Sequence, residues 1–497
     1  MNIQSLFDST ATGQISGDPE GGQSAQLLGT LTGARVYPRS ITSLNGKLYF
    51  LMKEAGGKYL AVVSQSPLEI KLAQVHQRRL QVSDEALHLT TMPLNAPSAI
   101  FLRQQINWLQ PTLLGLSKSA GCGDRLGLAT PGHVRAIRSC KGGVRPIYAQ
   151  QSIREMARTS RTPTQVLDDA MWGAFQEGWR SGFGADADHL KTYEDIDSCV
   201  AAGYTFYTID PGAYVDNESN PAKFEQLPWA DLETTISDTH QRYSTQMEPQ
   251  ILASGLVKYG RALVHVKQMY RHLRSTMAGR PYEVEVSVDE TDQPTTASEH
   301  LIIATELHRL GVEWVSLAPR FVGRFEKGVD YIGDVNVFEK DCAEHARLAR
   351  QLGPYKLSIH SGSDKFSIYP IVVRWTGELV HLKTAGTSYL EALRTVARCD
   401  ANLFRQVYRL AHERYAEDRA SYHVSADPAR APRADLSGVN DLQAVLNQFD
   451  ARQMLHVCFG SILATYGEPI KAVLEQNEET HYADLERHFK RHLEAFC

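Results

Sequence analysis

Three histidines stand where strand-like runs end: His189 in Phe183-Gly-Ala-Asp-Ala-Asp-His-Leu190, His360 after Tyr355-Lys-Leu-Ser-Ile, and His381 within Leu379-Val-His-Leu-Lys-Thr. Neutral imidazole ligates Zn, Ni, Mn and Fe(II). Side chains on the ends of separate strands can share one ion only if the sheet closes into a barrel. Acidic residues end further strands, at Asp188, Asp210, Asp289 and Glu290. The pattern predicts a metal-dependent enzyme with one divalent cation, although no His-x-x-x-His spacing sharpens the assignment. The competing reading is a polar barrel interior satisfied by buried salt bridges.

Other residues could work beside such a metal. Asp188 adjoins His189, and neighbours on a regular strand point to opposite faces, so both reach one site only where the strand is ending. Asp188 reads as a proton acceptor or as a helix cap, with Asp186 a weaker rival. Glu285 lies inside an alternating apolar strand, where an ionised carboxylate is costly unless paired or metal-bound. It reads as a general acid, a ligand, or the partner of Lys356 or Lys383, and Asp289 and Glu290 compete for the same roles. The loop Gly121-Cys-Gly-Asp-Arg-Leu-Gly-Leu-Ala-Thr-Pro-Gly-His133 lacks both a Walker signature and a dinucleotide fingerprint. Its Asp124, Arg125 and His133 are candidates for holding substrate hydroxyls or a carboxylate, or are parts of a turn. Lys356 and Lys383 lie within strands, which keeps a Schiff-base aldolase open as the alternative.

These residues must be carried by something. From about residue 111 the chain repeats strand, loop and helix. The strand candidates start at Thr112, Val144, Gly182, Thr205, Tyr282, Val312, Tyr355 and Leu379, with helical patterns over 163–177, 298–309 and 338–352. Eight such units predict an α/β (β/α)8 TIM-type barrel over 108–398. A long connection over about 211–280 contains a helix at 256–273 and reads as a lid or a subunit contact. Residues 1–107 predict a small β-rich module, with a hairpin turn at Lys53-Glu-Ala-Gly-Gly-Lys. Residues 399–497 read as helical, packed on the barrel or forming a homo-oligomer interface.

The chain has 497 residues and a net charge of −5, with 42% hydrophobic and 22% charged residues. No sustained basic run offers a footprint for nucleic acid. No apolar run approaches the ~18 residues needed to span a membrane. The amino terminus lacks the pattern of a signal peptide. Seven cysteines without a Cys-x-x-Cys pair predict reduced thiols in a cytoplasmic protein.

Five segments together resemble the tagaturonate epimerase family of bacterial hexuronate catabolism: Gly123–His133, Phe183–Thr192, Ser287–Thr295, Leu317–Phe321 and Ser358–Phe366. The resemblance implies a divalent-metal enzyme that interconverts D-tagaturonate and D-fructuronate, with no nucleotide cofactor. It implies metal ligation by His189, His360 and His381, a proton acceptor at Asp188 and a proton donor at Glu285. For the keto-hexuronate substrate, Asp124, Arg125, His133, Lys191, Arg320 and Lys383 are the candidate binding residues. C4 of this substrate is β to the C2 ketone and bears a hydroxyl, so inversion is expected through retro-aldol cleavage of C3–C4 and re-addition.

Overall fold

Eight short parallel strands close into a barrel in the computed structural model of the chain, which describes residues 3–82 and 85–497. An antiparallel sheet precedes it: β1 (Arg35–Val36), β2 (Thr42–Leu44), β3 (Lys47–Glu54), β4 (Gly57–Ser64), β5 (His76–Val82) and β6 (Glu85–Pro93). The strand order is β1-β3-β4-β6-β5, with β2 paired to β3. The expected hairpin joins β3 to β4, pairing Glu54 with Gly57. Alternate residues of this sheet face two cores. Tyr49, Leu51, Leu60 and Val62 join the barrel's core. Leu48, Phe50, Ala61 and Val63 pack with the amino-terminal segment instead.

The barrel strands are β7 (Ser119–Gly121), β8 (Arg145–Ser152), β9 (Gly184–Leu190), β10 (Phe206–Ile209), β11 (Glu283–Ser287), β12 (Ser316–Ala318), β13 (Lys356–Ile359) and β14 (Val380–Lys383). β14 pairs with β7 and closes the ring. The expected (β/α)8 architecture is therefore present, with helices between the strands. The expected first strand at Thr112 is displaced. Residues 112–117 instead cross beneath the barrel, where Leu114 N–H donates to the Glu283 carboxylate at 3.1 Å and Gly115 turns at φ +58°. The strand that enters the sheet is the small-residue stretch Ser-Ala-Gly.

The long connection also differs from expectation. Its helix runs over Pro249–Met277 and is the outer barrel helix between β10 and β11, packed on helices Tyr193–Ala202 and Ala297–Arg309. The preceding loop leans on that helix, Asp216 N–H donating to Lys258 O at 2.9 Å, and lines neither cavity at the barrel mouth. The last hundred residues are helical as read, with Ala401–Asp418, Phe449–Val457 and Phe459–Gln476 sharing a second core. The final helix, Glu478–Leu493, packs on Thr130–Ser139. Cys140, at the end of the latter, is disulfide-bonded to Cys497. This corrects the expectation of uniformly reduced thiols: the pairing joins residues 357 apart, and only the docking of the last helix brings them together. No helix among the described residues is long and apolar enough to cross a membrane.

Candidate active site

β9 supplies two adjacent residues to one site, which a regular strand cannot do. The register between β9 and β10 skips a residue: Tyr207 pairs with Ala187 and Ile209 with Leu190. His189 occupies the left-handed region at φ +55°. This bulge turns Asp188 and His189 toward the same cavity at the carboxyl ends of the strands. Left-handed backbone costs on the order of 1 kcal/mol for a residue with a Cβ. The strand does not end there, as the sequence reading expected, but runs on to Leu190, and the bulge within it brings both side chains to the site.

His189, His360 and Asp289 form a tight group whose ligand atoms all lie within 4.8 Å of one another. Each imidazole is oriented from behind. His189 Nδ1 donates to Asp210 Oδ2 (3.1 Å), leaving Nε2 toward the cavity. His360 Nε2 donates to Glu285 Oε1 (2.7 Å), and its Nδ1 lies 3.2 Å from Asp289 Oδ1. A carboxylate behind each imidazole is the usual support of a metal-ligating histidine. Burial disfavours charge on His189, but Asp188, Asp210 and Asp289 outweigh it and push its pKa up to about 10. His360 is likewise raised to about 9, with Asp289 and Glu285 overcoming burial. The pocket therefore demands positive charge. His189, His360 and Asp289 suit a divalent cation in donor type, spacing and sign.

His381 is not brought into that group. It pairs level with Ser358, two residues below His360, so it occupies a deeper layer of the barrel. Its Nδ1 lies 2.9 Å from Ser119 Oγ, its ring packs on Phe206, and burial lowers its pKa to about 3. Asp289, a rival of Glu285 in the sequence reading, occupies the third position.

Lys383 ties the carboxylates together. Its Nζ lies 2.7 Å from Asp188 Oδ1, 2.8 Å from Asp186 Oδ2 and 2.8 Å from Glu285 Oε1. Burial would strip its proton, but the three carboxylates hold it charged. A Schiff base needs the free amine, so this lysine is badly placed for one. Lys356 does have a depressed pKa, about 8 through burial, but it opens β13 at the floor of the barrel and contacts Ser119. Asp188 is also bonded by Gln150 Nε2 at 3.0 Å, and the Lys383 ammonium and two flanking imidazoles overcome burial to keep it ionised. Glu285 is fully buried beneath His360, outside the cavity wall, and bonded by Ser316 Oγ at 2.6 Å. Burial alone would raise its pKa, yet Lys383, His360 and His381 hold it well below the carboxylate range.

The remaining candidates separate. Arg125 lines the inner cavity and pairs with Glu155, Nε to Oε1 at 2.8 Å. Arg320 lines the wider mouth, a cavity of about 510 Å³ that shares Arg154, Asp289, Glu290, Lys327, His360, Ser361 and Tyr422 with the inner one. Lys191 is held at the rim by Asp210 (3.0 Å) and Glu290 (3.2 Å). Asp124 is spent on its own loop, accepting from the backbone N–H groups of Leu126, Gly127 and Ala129. His133 is a core residue against Phe489 and Ser388, its pKa lowered to about 4 by burial. A second histidine group, Asp364, His488 and His492, is occupied by protein: Arg452 donates twice to Asp364, and His492 Nε2 accepts the Asp364 N–H.

The sequence reading missed Gln150, Lys327 and Tyr422. Gln150 was legible as a polar residue near the end of a strand. Lys327 and Tyr422 lie in loops with no local signature, and Tyr422 comes from the carboxyl-terminal region.

Comparison with known proteins points to one family. The family model described as tagaturonate epimerase matches residues 37–496. A tagaturonate/fructuronate epimerase of Thermotoga maritima is 41% identical over 475 residues, covering 93% of this chain and 97% of that one. Among solved structures, a fructuronate-tagaturonate epimerase of Cohnella laeviribosi superposes with a TM-score of 0.85 at 34% identity, covering 95% of this chain and 99% of that one. A glycerol complex of the same enzyme superposes equally well.

Proposed function

This chain belongs to the tagaturonate epimerase family, and from that membership we propose that its barrel site inverts C4 of a keto-hexuronate with a divalent metal at His189, His360 and Asp289. It is an isomerase, interconverting D-tagaturonate and D-fructuronate. The observation that carries the metal reading is the pair of imidazoles, each backed by a carboxylate and facing Asp289 across one cavity. When bound, the metal supplies Lewis acidity for negative charge developing on the C2 and C3 oxygens.

The chain's own residues account for the proton and the geometry. Asp188, the ionised carboxylate beside this group, takes the O4 proton. Cleavage of C3–C4 leaves an enediolate over C2 and C3 and an aldehyde at C4. The aldehyde turns about C4–C5 and is attacked on its other face, and O4 recovers a proton. Lys383 holds Asp188 in place and keeps it ionised until it takes that proton. Glu285, beneath His360, fixes that imidazole's tautomer and is too deep to touch O4 directly. It is thus better suited to positioning than to proton donation.

The test is turnover of D-tagaturonate in D2O by the metal-loaded protein, read by NMR. D-fructuronate that keeps protium at C4 is expected. Deuterium at C4 replaces the cleavage route with proton abstraction there, and the absence of fructuronate removes the functional reading altogether.

A further inference from the structure

Arg125 and Lys327 line the inner cavity, and His456 stands against Gly386 beside Arg125. Arg125 is 4% exposed, and its Nη1 has no hydrogen-bond partner. Its other nitrogens are committed to Glu155, and its plane lies 3.7 Å over the Phe459 ring, so it cannot swing away. His456 is 1% exposed, and neither ring nitrogen has a partner. Lys327 lines both cavities and donates only to Ser361 Oγ, at 2.8 Å, with no carboxylate in ion-pair distance among the described residues. Buried polar groups left without a partner, as Arg125 Nη1 and the His456 ring are, cost on the order of 1–3 kcal/mol each, more when charged, so a ligand is implied.

Arg125 and His456 meet over one piece of backbone. A Cβ on Gly386 would sit 2.4 Å from His456 Nε2 and 2.6 Å from Arg125 Nη2, and His456 also packs on Gly328 beside Lys327. Gly386 is the left-handed cap of helix Thr387–Cys399, and no side chain caps that helix. It follows β14, the eighth strand, while Ser361 follows β13, the seventh. Loops after these two strands are where barrels of this class commonly bind anions, with a helix amino terminus contributing.

We infer that this is the anchor for the substrate's C6 carboxylate, a conclusion that rests on the proposed hexuronate reaction and adds its specificity-determining residues. Charge selects the ligand. Glu155 pairs with Arg125, while Lys327 has no carboxylate at ion-pair distance among the described residues and is the cation left free to pair with a ligand. A carboxylate supplies one negative charge and two acceptor oxygens for Arg125 Nη1, His456 and Lys327. A phosphate dianion oversupplies charge. The same cavity holds Asp188 and His360, so one sugar acid spans from this anchor to the reacting carbons.

The experiment measures D-tagaturonate binding by calorimetry and turnover by NMR, in the metal-loaded wild type and in Lys327→Gln, Arg125→Lys and His456→Phe. Loss of binding by about 10- to 100-fold in each variant is expected, with kcat changed far less than KM. D-Tagatose, which lacks the carboxylate, is expected to bind wild type and Lys327→Gln equally weakly. D-Tagatose 6-phosphate binding more tightly than D-tagaturonate would reassign the anchor to phosphate and overturn the inference. So would unchanged D-tagaturonate binding in Lys327→Gln, a substitution of similar size at a partly exposed loop position that keeps a hydrogen-bonding group for Ser361. Wild type that binds D-tagaturonate through these residues but does not convert it sinks the reaction and leaves the anchor standing. Wild type that does neither sinks both.

Discussion

Each histidine's depth in the barrel decides its chemistry. His360 and His381 are both strand histidines, yet one register layer separates a group facing Asp289 from one buried against Phe206. His360→Gln is therefore expected to lose the bound metal while His381→Gln keeps it, as read by elemental analysis of the purified proteins. Asp188→Asn should retain metal and lower kcat by about 10²–10⁴, the usual contribution of a positioned proton acceptor. Glu285→Gln separates two roles. A residue that only orients His360 lowers metal affinity by about 10- to 100-fold, with turnover restored at saturating metal. A proton donor would leave turnover depressed at any metal concentration. The residue types at 188, 189, 285, 289 and 360 were all visible in the sequence. Their division of labour was not, because alternation fixes which face a side chain takes and says nothing of what stands opposite.

The strands and helices were more legible than their functions. Seven of the eight expected strands overlap barrel strands, because β-branched and aromatic runs bounded by turns carry a strong signal. The first did not, since Ser119–Gly121 is made of small residues and holds its place by pairing with β14 and β8. Nothing local marked the contact between the carboxyl-terminal helices and the loop after β13. There Arg452 and His488 enclose Asp364 and Glu391, all buried. Burial would raise the Glu391 pKa, but His488, Arg452 and Arg394 lower it to about 2. Its folded value is thus below its unfolded value of 4.5. The stability it contributes is present above pH 4.5 and disappears as pH falls toward 2. That amounts to on the order of 3 kcal/mol. Urea midpoints at pH 6 and pH 3 are expected to differ less in Glu391→Gln than in wild type. Arg452→Met leaves two buried carboxylates short of a partner and should cost about 3–5 kcal/mol by the same measurement.

The chain's two ends are used to finish what the barrel begins. The amino-terminal sheet lends one face to the barrel's core. The carboxyl-terminal region brings Tyr422 to the mouth, Phe459 beneath Arg125 and His456 to Gly386. The last residue, Cys497, is bonded to Cys140. Peptide mapping without reduction is expected to recover the two cysteines in one linked fragment. Cys497→Ser is expected to lower stability by about 2–4 kcal/mol in urea titration, since the bond constrains a very long segment of the unfolded chain.

The sequence by itself determined the barrel, its order of strands and helices, the family, and most of the ionisable residues from which the site is built. Those properties are encoded locally, in hydrophobic periodicity, turn residues and contiguous motifs. The tertiary structure alone decided that Asp289 rather than His381 faces His189 and His360, that Lys383 is a charged hub, and that Cys140 meets Cys497. Each of these depends on strand register, on a single-residue bulge at Asp188–His189, or on the docking of helices hundreds of residues away. Small shifts there redirect whole side chains, and no short stretch of sequence records them.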